Sequence, residues 1–80
     1  MSVVDVLLPQ SGMGMQDGEI VSWLKSVGDT VEKDEVIVEV ESAKVTVEVV
    51  APVSGELIEI LAEEGAVIEV RDTIARIKEL

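Results

Sequence analysis

The 80-residue sequence contains no cysteine, histidine, phenylalanine or tyrosine, and Trp23 is its only aromatic residue. Without thiols or imidazoles the chain has no disulfide framework, no thiolate or imidazole metal site, no cysteine nucleophile and no histidine general base. Basic residues are scarce too, with 6 Lys and Arg against 17 Asp and Glu and a formal net charge of −11. This acidity argues against nucleic acid or an anionic membrane surface as a partner. Function must therefore come from an exposed side chain, a binding surface or a group attached from outside.

Long apolar segments are also missing. No run approaches the ~20 residues that a membrane-spanning helix requires, and the first residues show no basic, apolar signal-like stretch. The length allows one small domain, residues 1–80. A domain of this size buries only ~60% of its unfolded surface, so we expect its stability to depend on tight packing.

β-Branched residues dominate what is present: sixteen Val and seven Ile against six Leu and five Ala. Such residues lose side-chain freedom in helices and pack well on a pleated surface, which favours strands. In Val36–Val40 and Val45–Val49 the valines alternate with other residues, Ile37 and Glu39 in the first run. Alternation predicts strands with the valines inward. Shorter runs of the same character are Val3–Leu8, Glu19–Leu24, Glu56–Leu61 and Thr73–Ile77.

Helix is the alternative for Ile58–Gly65, where apolar residues are dense. The run is short, β-branched and closed by Gly65, so we predict a strand followed by a turn.

The two halves of the chain repeat at an offset of 37 positions, the separation of Gly18 and Gly55. At this offset Gly18–Val21 aligns with Gly55–Ile58 without gaps. Further matched pairs are Leu24 with Leu61, Gly28 with Gly65, Val31 with Ile68, Ile37 with Ile74 and Val40 with Ile77. Two copies are too few for a solenoid and predict two similar sheets packed face to face about a pseudo-two-fold axis. Ser42–Lys44 then forms a hairpin tip at the end of the domain opposite the termini.

The segment Glu41-Ser42-Ala43-Lys44-Val45 completes a set of motifs along the chain. The other members are Pro9, Met15, Gly18, Ile20, Trp23, Val27-Gly28-Asp29, Val31, Glu39-Val40, Ala51-Pro52-Val53-Ser54-Gly55, Glu64-Gly65 and Val67. In this order and spacing, from about Val4 to Ile77, the chain resembles the lipoyl domain of the dihydrolipoamide acyltransferases of 2-oxo acid dehydrogenase complexes, in the biotinyl/lipoyl attachment family. The resemblance implies an all-β fold, a flattened β-barrel or sandwich of two four-stranded antiparallel sheets.

By this resemblance, Lys44 carries lipoic acid in amide linkage, with Glu41, Ser42, Ala43 and Val45 as the hairpin flank. A lipoate ligase or lipoyl transferase attaches the group, and the lysine becomes a swinging arm. A thiamine-dependent 2-oxo acid dehydrogenase reductively acylates the arm, the acyl group passes to coenzyme A at the acyltransferase domain, and dihydrolipoamide dehydrogenase reoxidises the dithiol. The carrier domain itself is expected to be non-catalytic, monomeric, without a metal, and located in the cytoplasm or, in a eukaryote, the mitochondrial matrix.

The first loop has a role in the same family, where it lies beside the lysine and helps the dehydrogenase recognise its carrier. The resemblance implies partner recognition for six residues, Ser11, Gly12, Met13, Gly14, Met15 and Gln16. A phosphate-binding loop is a poor alternative because no Lys-Ser/Thr and no helix follow the glycines.

Departures from the family pattern keep other functions open. Lipoyl domains usually have Asp before the modified lysine and Ala after it, whereas this chain has Ala43 and Val45. The local string also resembles the glycine-cleavage lipoyl carrier, although that family is longer. Biotin carriers flank their lysine with Met on both sides, so lipoate is favoured over biotin. An unmodified interaction module with the same fold is the remaining alternative.

Two more departures, Asp34 and Arg71, are related by the repeat and stand where lipoyl domains commonly have glycine. We predict a left-handed backbone at Asp34, and if both turns keep positive φ, Arg71 is strained by about 1 kcal/mol. Trp23 is expected in the core or half-buried. Ser42 and Ser54 are interpreted as turn residues, and the glutamates of 32–35 and 63–64 as a solvated surface.

Overall fold

The computed structural model describes residues 2–9, 16–42 and 45–80. These residues form eight strands: β1 (Val3–Leu7), β2 (Asp17–Trp23), β3 (Thr30–Val31), β4 (Val36–Glu41), β5 (Thr46–Val50), β6 (Gly55–Ile60), β7 (Val67–Glu69) and β8 (Thr73–Glu79). Nothing in the described ranges is a helix of the length and apolarity needed to cross a membrane.

The strands form two four-stranded antiparallel sheets, with the orders β1-β8-β6-β3 and β5-β4-β2-β7. We call them the terminal sheet and the hairpin sheet. The 37-residue offset takes β2 to β6, β3 to β7 and β4 to β8. The related strands have the same order in both sheets, with β5 and β1 in the remaining edge positions. The predicted all-β sandwich of two similar sheets is confirmed, and so is the strand and turn predicted for Ile58–Gly65.

The repeat extends to individual hydrogen bonds. Gly28 N donates to Leu57 O at 2.7 Å, and Gly65 N donates to Ile20 O at 2.8 Å. Both glycines have positive φ, 99° and 91°, as turns at these positions require. Since donors and acceptors each differ by 37 positions, the two halves have the same local geometry, which supports the pseudo-two-fold axis inferred from the sequence.

Positive φ also occurs at the two non-glycine positions related by the repeat. Asp34 has φ 71° and Arg71 has φ 77°. The prediction for Asp34 is confirmed, and the condition under which Arg71 is strained is met. Each residue lies in a turn where its amide donates to the residue directly after another strand: Asp34 N to Ala51 O, after β5, at 2.8 Å, and Arg71 N to Leu8 O, after β1, at 2.9 Å.

The core lies between the sheets and is aliphatic. Its largest fully buried side chains are Leu8, Ile20, Ile37, Leu57, Ile74, Ile77, Val6, Val31, Val38 and Val40. Trp23 is half-buried and packs against this cluster, as expected, and its Nε1 donates to Ala62 O at 2.7 Å. Because every core residue is apolar, no buried side-chain polar group in the described residues lacks a partner.

Strict alternation was wrong at Ile37. The pattern put Ile37 on the solvent face between Val36 and Val38, but Ile37 and Val38 are both fully buried. The register of β4 against β5 shifts between Val36 and Val38, and such a bulge turns two successive side chains to the same face. Sequence alternation alone does not reveal where a bulge falls.

The two ends of the chain lie together. Val3 pairs with Lys78, and Glu79 N donates to Ser2 O at 2.9 Å. Ser54 follows β5, and its carbonyl accepts from Leu80 N at 3.4 Å. We call this region the terminal end, comprising residues 2, 32–35, 51–55 and 79–80.

The β4–β5 hairpin lies at the other end of the molecule. β5 begins there and finishes at Val50, after which Ala51 N bonds Glu35 O in the terminal end at 2.9 Å. At ~3.3 Å per residue, the five residues of β5 separate the two regions by about 17 Å along the strand. We call the region of residues 16–18, 42, 45 and 67–72 the hairpin end. The predicted opposition of hairpin and termini is confirmed for the described flanks.

Candidate functional site

The β4–β5 hairpin is closed by its flanking residues. Glu41 pairs with Thr46, and Ser42 N donates to Val45 O at 2.8 Å. The Ser42 hydroxyl donates to Val45 O at 3.1 Å and accepts from Val45 N at 3.4 Å. Two residues, Ala43 and Lys44, join these flanks in the sequence and lie outside the described residues. The predicted turn role of Ser42 is confirmed.

The flanks of the hairpin are accessible from solvent. Glu41 is exposed, Ser42 is half-buried, and Val45 is 44% exposed even though it is apolar. The described flanks of the hairpin are therefore at least partly open to solvent on both strands.

A shallow cleft lies directly beside the hairpin. It is lined by Asp17, Gly18, Glu19, Glu41, Ser42 and Val67. Val67 is 68% exposed and supplies an apolar surface among three carboxylates. Asp17, Glu19 and Val67 are not predicted as neighbours of the hairpin from the sequence, because only the β2–β4 and β2–β7 pairings bring them there.

The outer face of the hairpin sheet is acidic. Three pairs of carboxylates lie directly opposite each other on adjacent strands: Asp17 with Glu69, Glu19 with Glu41, and Glu39 with Glu48. Like charges in this arrangement repel each other. Part of the negative charge seen in the composition is thus paired on the outer face of the sheet that contains the hairpin.

The outer face of the terminal sheet has mixed charges instead. Arg76 contacts Glu59 through Nη1 at 2.8 Å and Asp5 through Nε at 3.1 Å, and Lys78 lies opposite Glu56. The hydrogen bond to Glu59, and then that to Asp5, raises the pKa of Arg76 above its ordinary value. The two faces therefore differ in charge although their backbones are related by symmetry.

The predicted recognition loop is described only at its end. Ser11–Met15 lie outside the described residues, whereas Gln16 is exposed and its carbonyl accepts from Val70 N at 2.9 Å. On the other side of the loop, Leu8 N donates to Asp72 O at 3.1 Å. Both stems of the loop are thus held by the turn between β7 and β8, at the hairpin end.

Several glutamates expected to be only solvated have structural roles. Glu64 Oε2 accepts from Trp23 N at 3.1 Å, and Glu35 Oε1 accepts from Glu32 N at 3.0 Å. Glu35 also pairs with Lys25 at 3.0 Å. The bond from the Glu32 backbone, followed by that from Lys25, lowers the pKa of Glu35 below 4.5. Ser54 acts as a turn residue, as predicted, because its hydroxyl accepts from Lys33 N at 2.9 Å.

Comparison with known proteins agrees with this geometry. Residues 4–77 match the sequence model of the Biotin_lipoyl family, described as "Biotin-requiring enzyme". The solution structure of the lipoyl domain of the 2-oxoglutarate dehydrogenase complex from Azotobacter vinelandii is similar with a TM-score of 0.75 and 32% identity, covering 95% of this chain and 96% of that one. Urea carboxylase of Kluyveromyces lactis has a TM-score of 0.82 at 24% identity, over 98% of this chain and 6% of that one, which supports the fold alone.

Curated relatives extend the comparison to sequence. The dihydrolipoyllysine-residue acetyltransferase component of the pyruvate dehydrogenase complex of Corynebacterium glutamicum is 46% identical over 95% of this chain. The component of the same name from Staphylococcus aureus is 47% identical over 88% of it. The chain spans only 11% and 16% of these two relatives. The chain therefore belongs to the Biotin_lipoyl family of biotinyl/lipoyl attachment domains, and its similarity to lipoyl domains extends along nearly its whole length.

Proposed function

We propose that this chain is a lipoyl carrier domain whose Lys44 bears lipoate. The observation that carries the proposal is the hairpin: a fixed register between the half-buried Ser42 and the exposed Val45 leaves only Ala43 and Lys44 to join the two strands. A lysine is the residue type suited to this position because its amine is at the end of a long stem and can be acylated. The similarity to lipoyl domains and to lipoyl-bearing acetyltransferases supports the same function.

The residues around the hairpin hold and present the attachment point. The Ser42 hydroxyl fixes the approach of the two strands, and the fully buried Val40 with the buried Val47 anchors β4 and β5 in the core. When bound, lipoate supplies a redox-active disulfide that accepts acyl groups and electrons. Tethering such a group to a rigid domain keeps its effective concentration high at each site that it visits.

The partners follow from the relatives. Components of the pyruvate dehydrogenase complex imply a thiamine-dependent dehydrogenase, an acyltransferase catalytic domain and dihydrolipoamide dehydrogenase, with a lipoate ligase or lipoyl transferase acting first. Acylation of Lys44 would neutralise its amine and make the hairpin end still more negative. We expect partner surfaces that are predominantly basic, in the cytoplasm or the mitochondrial matrix where such complexes operate.

The test is intact mass spectrometry after co-expression with a lipoate ligase and added lipoate. We expect one lipoyl increment on the wild-type chain and none on Lys44→Ala. Lys44→Arg is the matched control, because it retains the charge but lacks an acylatable amine, and it is also expected to stay unmodified. Circular dichroism of both variants establishes that the fold is retained.

Other outcomes point to other functions. A biotinyl increment with a biotin ligase and no lipoyl increment would identify a biotin carrier. Absence of both increments on a folded chain would favour an unmodified interaction module and contradict the proposal. Lipoylation combined with transfer only in the glycine-cleavage reaction would retain the cofactor and change the complex.

A further inference from the structure

Arg71 has an unfavourable backbone conformation in the turn between β7 and β8. Its φ of 77° lies in the left-handed region, where a residue with a long side chain is destabilised by about 1 kcal/mol. Glycine would adopt this conformation without cost, and Asp34 occupies the related turn with a residue type that tolerates it better. Strained residues persist at sites of function more often than elsewhere.

The turn that contains Arg71 supports the predicted recognition loop. Arg71 N donates to Leu8 O at 2.9 Å, and the preceding Val70 N donates to Gln16 O at 2.9 Å. Leu8 and Gln16 lie on the two sides of the loop. The backbone of Arg71 is therefore held between the stems of that loop, and its side chain is exposed at the same end of the molecule as the described flanks of the hairpin.

The charge of Arg71 contrasts with its surroundings. Among the cations in the described ranges, Lys25 pairs with Glu35 at the terminal end, Lys33 lies in that end, and Lys78 lies opposite Glu56. Arg76 is held by two carboxylates in the middle of the terminal sheet. Arg71 is the one described cation of the hairpin end.

Its nearest acidic neighbour in the sequence has another role. Asp72 Oδ2 accepts from Glu69 N at 3.1 Å, and none of the ion pairs within the described residues involves Arg71. A planar guanidinium with five donors suits bidentate binding of a carboxylate. Its charge and its place beside the loop point to a partner carboxylate rather than to an internal one.

We propose that Arg71 is a specificity contact of the carrier, binding a carboxylate on the thiamine-dependent dehydrogenase during docking. This inference rests on the proposed function. A basic docking surface on the dehydrogenase that contains one acidic residue opposite Arg71 would bind this domain. It would bind carriers with glycine at this position less well, because its acidic residue would then have no partner. The strain in the turn is then the cost of a charged side chain at this point.

The experiment measures reductive acylation of the lipoylated chain by the dehydrogenase of the Staphylococcus aureus pyruvate dehydrogenase complex, with pyruvate in excess. A lipoyl domain of nearly the same extent has been solved on its own, so the domain is a suitable substrate. We expect Arg71→Gly to raise KM for the domain roughly three- to tenfold with kcat nearly unchanged. Its Tm is expected to rise, since the backbone strain is removed.

Two further variants separate charge from backbone. Arg71→Lys keeps both the charge and the strain, and its KM is expected between those of the wild type and Arg71→Gly. Asp34→Gly makes the same backbone change at the terminal end and is expected to leave KM unaltered. Mass spectrometry first establishes that all four proteins are equally lipoylated.

The outcomes distinguish the two proposals. If the wild type is acylated and Arg71→Gly has the same KM, the inference about Arg71 is overturned and the carrier function stands. An equal rise in KM for Asp34→Gly also overturns it, because the effect would then come from the turns in general. If the lipoylated wild type is not acylated at all, lipoate attachment stands, but the proposed pairing with a pyruvate dehydrogenase fails and the inference about Arg71 fails with it.

Discussion

At the scale of single residues, Gly55 has an identity that packing dictates. It begins β6 in the extended region, so its backbone would accept any residue. A Cβ there, however, would overlap the carbonyl oxygen of Lys78 and come within 2.9 Å of Cγ2 of Ile77. The side chain is excluded by the close approach of β8, which explains why glycine recurs at the start of the second repeat.

Gly55→Ala is therefore expected to lower the free energy of unfolding by about 3 kcal/mol, since the obstructing atom belongs to the backbone and β8 must shift. Gly28→Ala is the control: its φ of 99° is unfavourable for alanine, but no atom lies within 4 Å of the added carbon. We expect only about 1 kcal/mol there. Urea denaturation measures both, and equal losses would contradict the packing explanation.

Glu35 links stability to pH. Its folded-state pKa is lowered from 4.5, so the ionised form stabilises the fold above about pH 4.5, and this contribution is lost as the pH falls through the folded-state pKa. Glu35→Gln is expected to lower Tm at pH 7, with the difference from wild type shrinking towards pH 3. Glu63→Gln, in the exposed turn after β6, is the matched control and is expected to leave Tm at pH 7 unchanged. A constant difference at all pH values would contradict this assignment.

Some of these residue-scale features are predictable from sequence and others are not. The resemblance to lipoyl domains, which commonly have glycine at this turn, was sufficient to predict the left-handed Asp34. The hydrogen bonds of Glu35 and Glu64 were not, because a glutamate in an acidic run has the same local sequence whether it accepts a backbone amide or faces water.

At the scale of strands, alternation found the long elements and missed the short ones. β3 and β7 have two and three residues, too few to show a period of two. The bulges in β2, β4 and β6 have no sequence signature either. The bulge in β4 is the reason that Ile37 is buried although alternation predicted it on the solvent face. The neighbours of the hairpin were equally hidden, since Val67 reaches the cleft through pairing between distant segments.

The opposed carboxylates of the hairpin sheet give a prediction at this scale. Glu48→Lys places a cation opposite Glu39 and is expected to stabilise the domain by roughly 0.2–1 kcal/mol at low salt. Glu56→Lys is the matched control on the other sheet, where it creates a repulsion with Lys78 and is expected to destabilise. Thermal unfolding from 10 mM to 500 mM NaCl should reduce both effects. The same sign for both variants would refute a pairwise origin.

At the scale of the whole molecule, the described flanks of the hairpin and residues 2 and 79–80 lie at opposite ends. A folded protein fused after Leu80 is therefore expected to leave both lipoylation and reductive acylation at wild-type rates. The same protein inserted within residues 11–15 is expected to lower reductive acylation strongly and lipoylation little. Mass spectrometry and the acylation assay measure the two steps, and loss of lipoylation in the terminal fusion would contradict the separation of the ends.

The pairing of β1 with β8 has a mechanical consequence. Val3 and Lys78 are the first partners of an antiparallel pair whose hydrogen bonds run perpendicular to the strands. A force pulling residues 2 and 80 apart acts along those bonds and loads them one at a time, so the pair unzips instead of shearing. Tension on the two ends would open the terminal sheet at low force, beginning with the separation of β1 from β8.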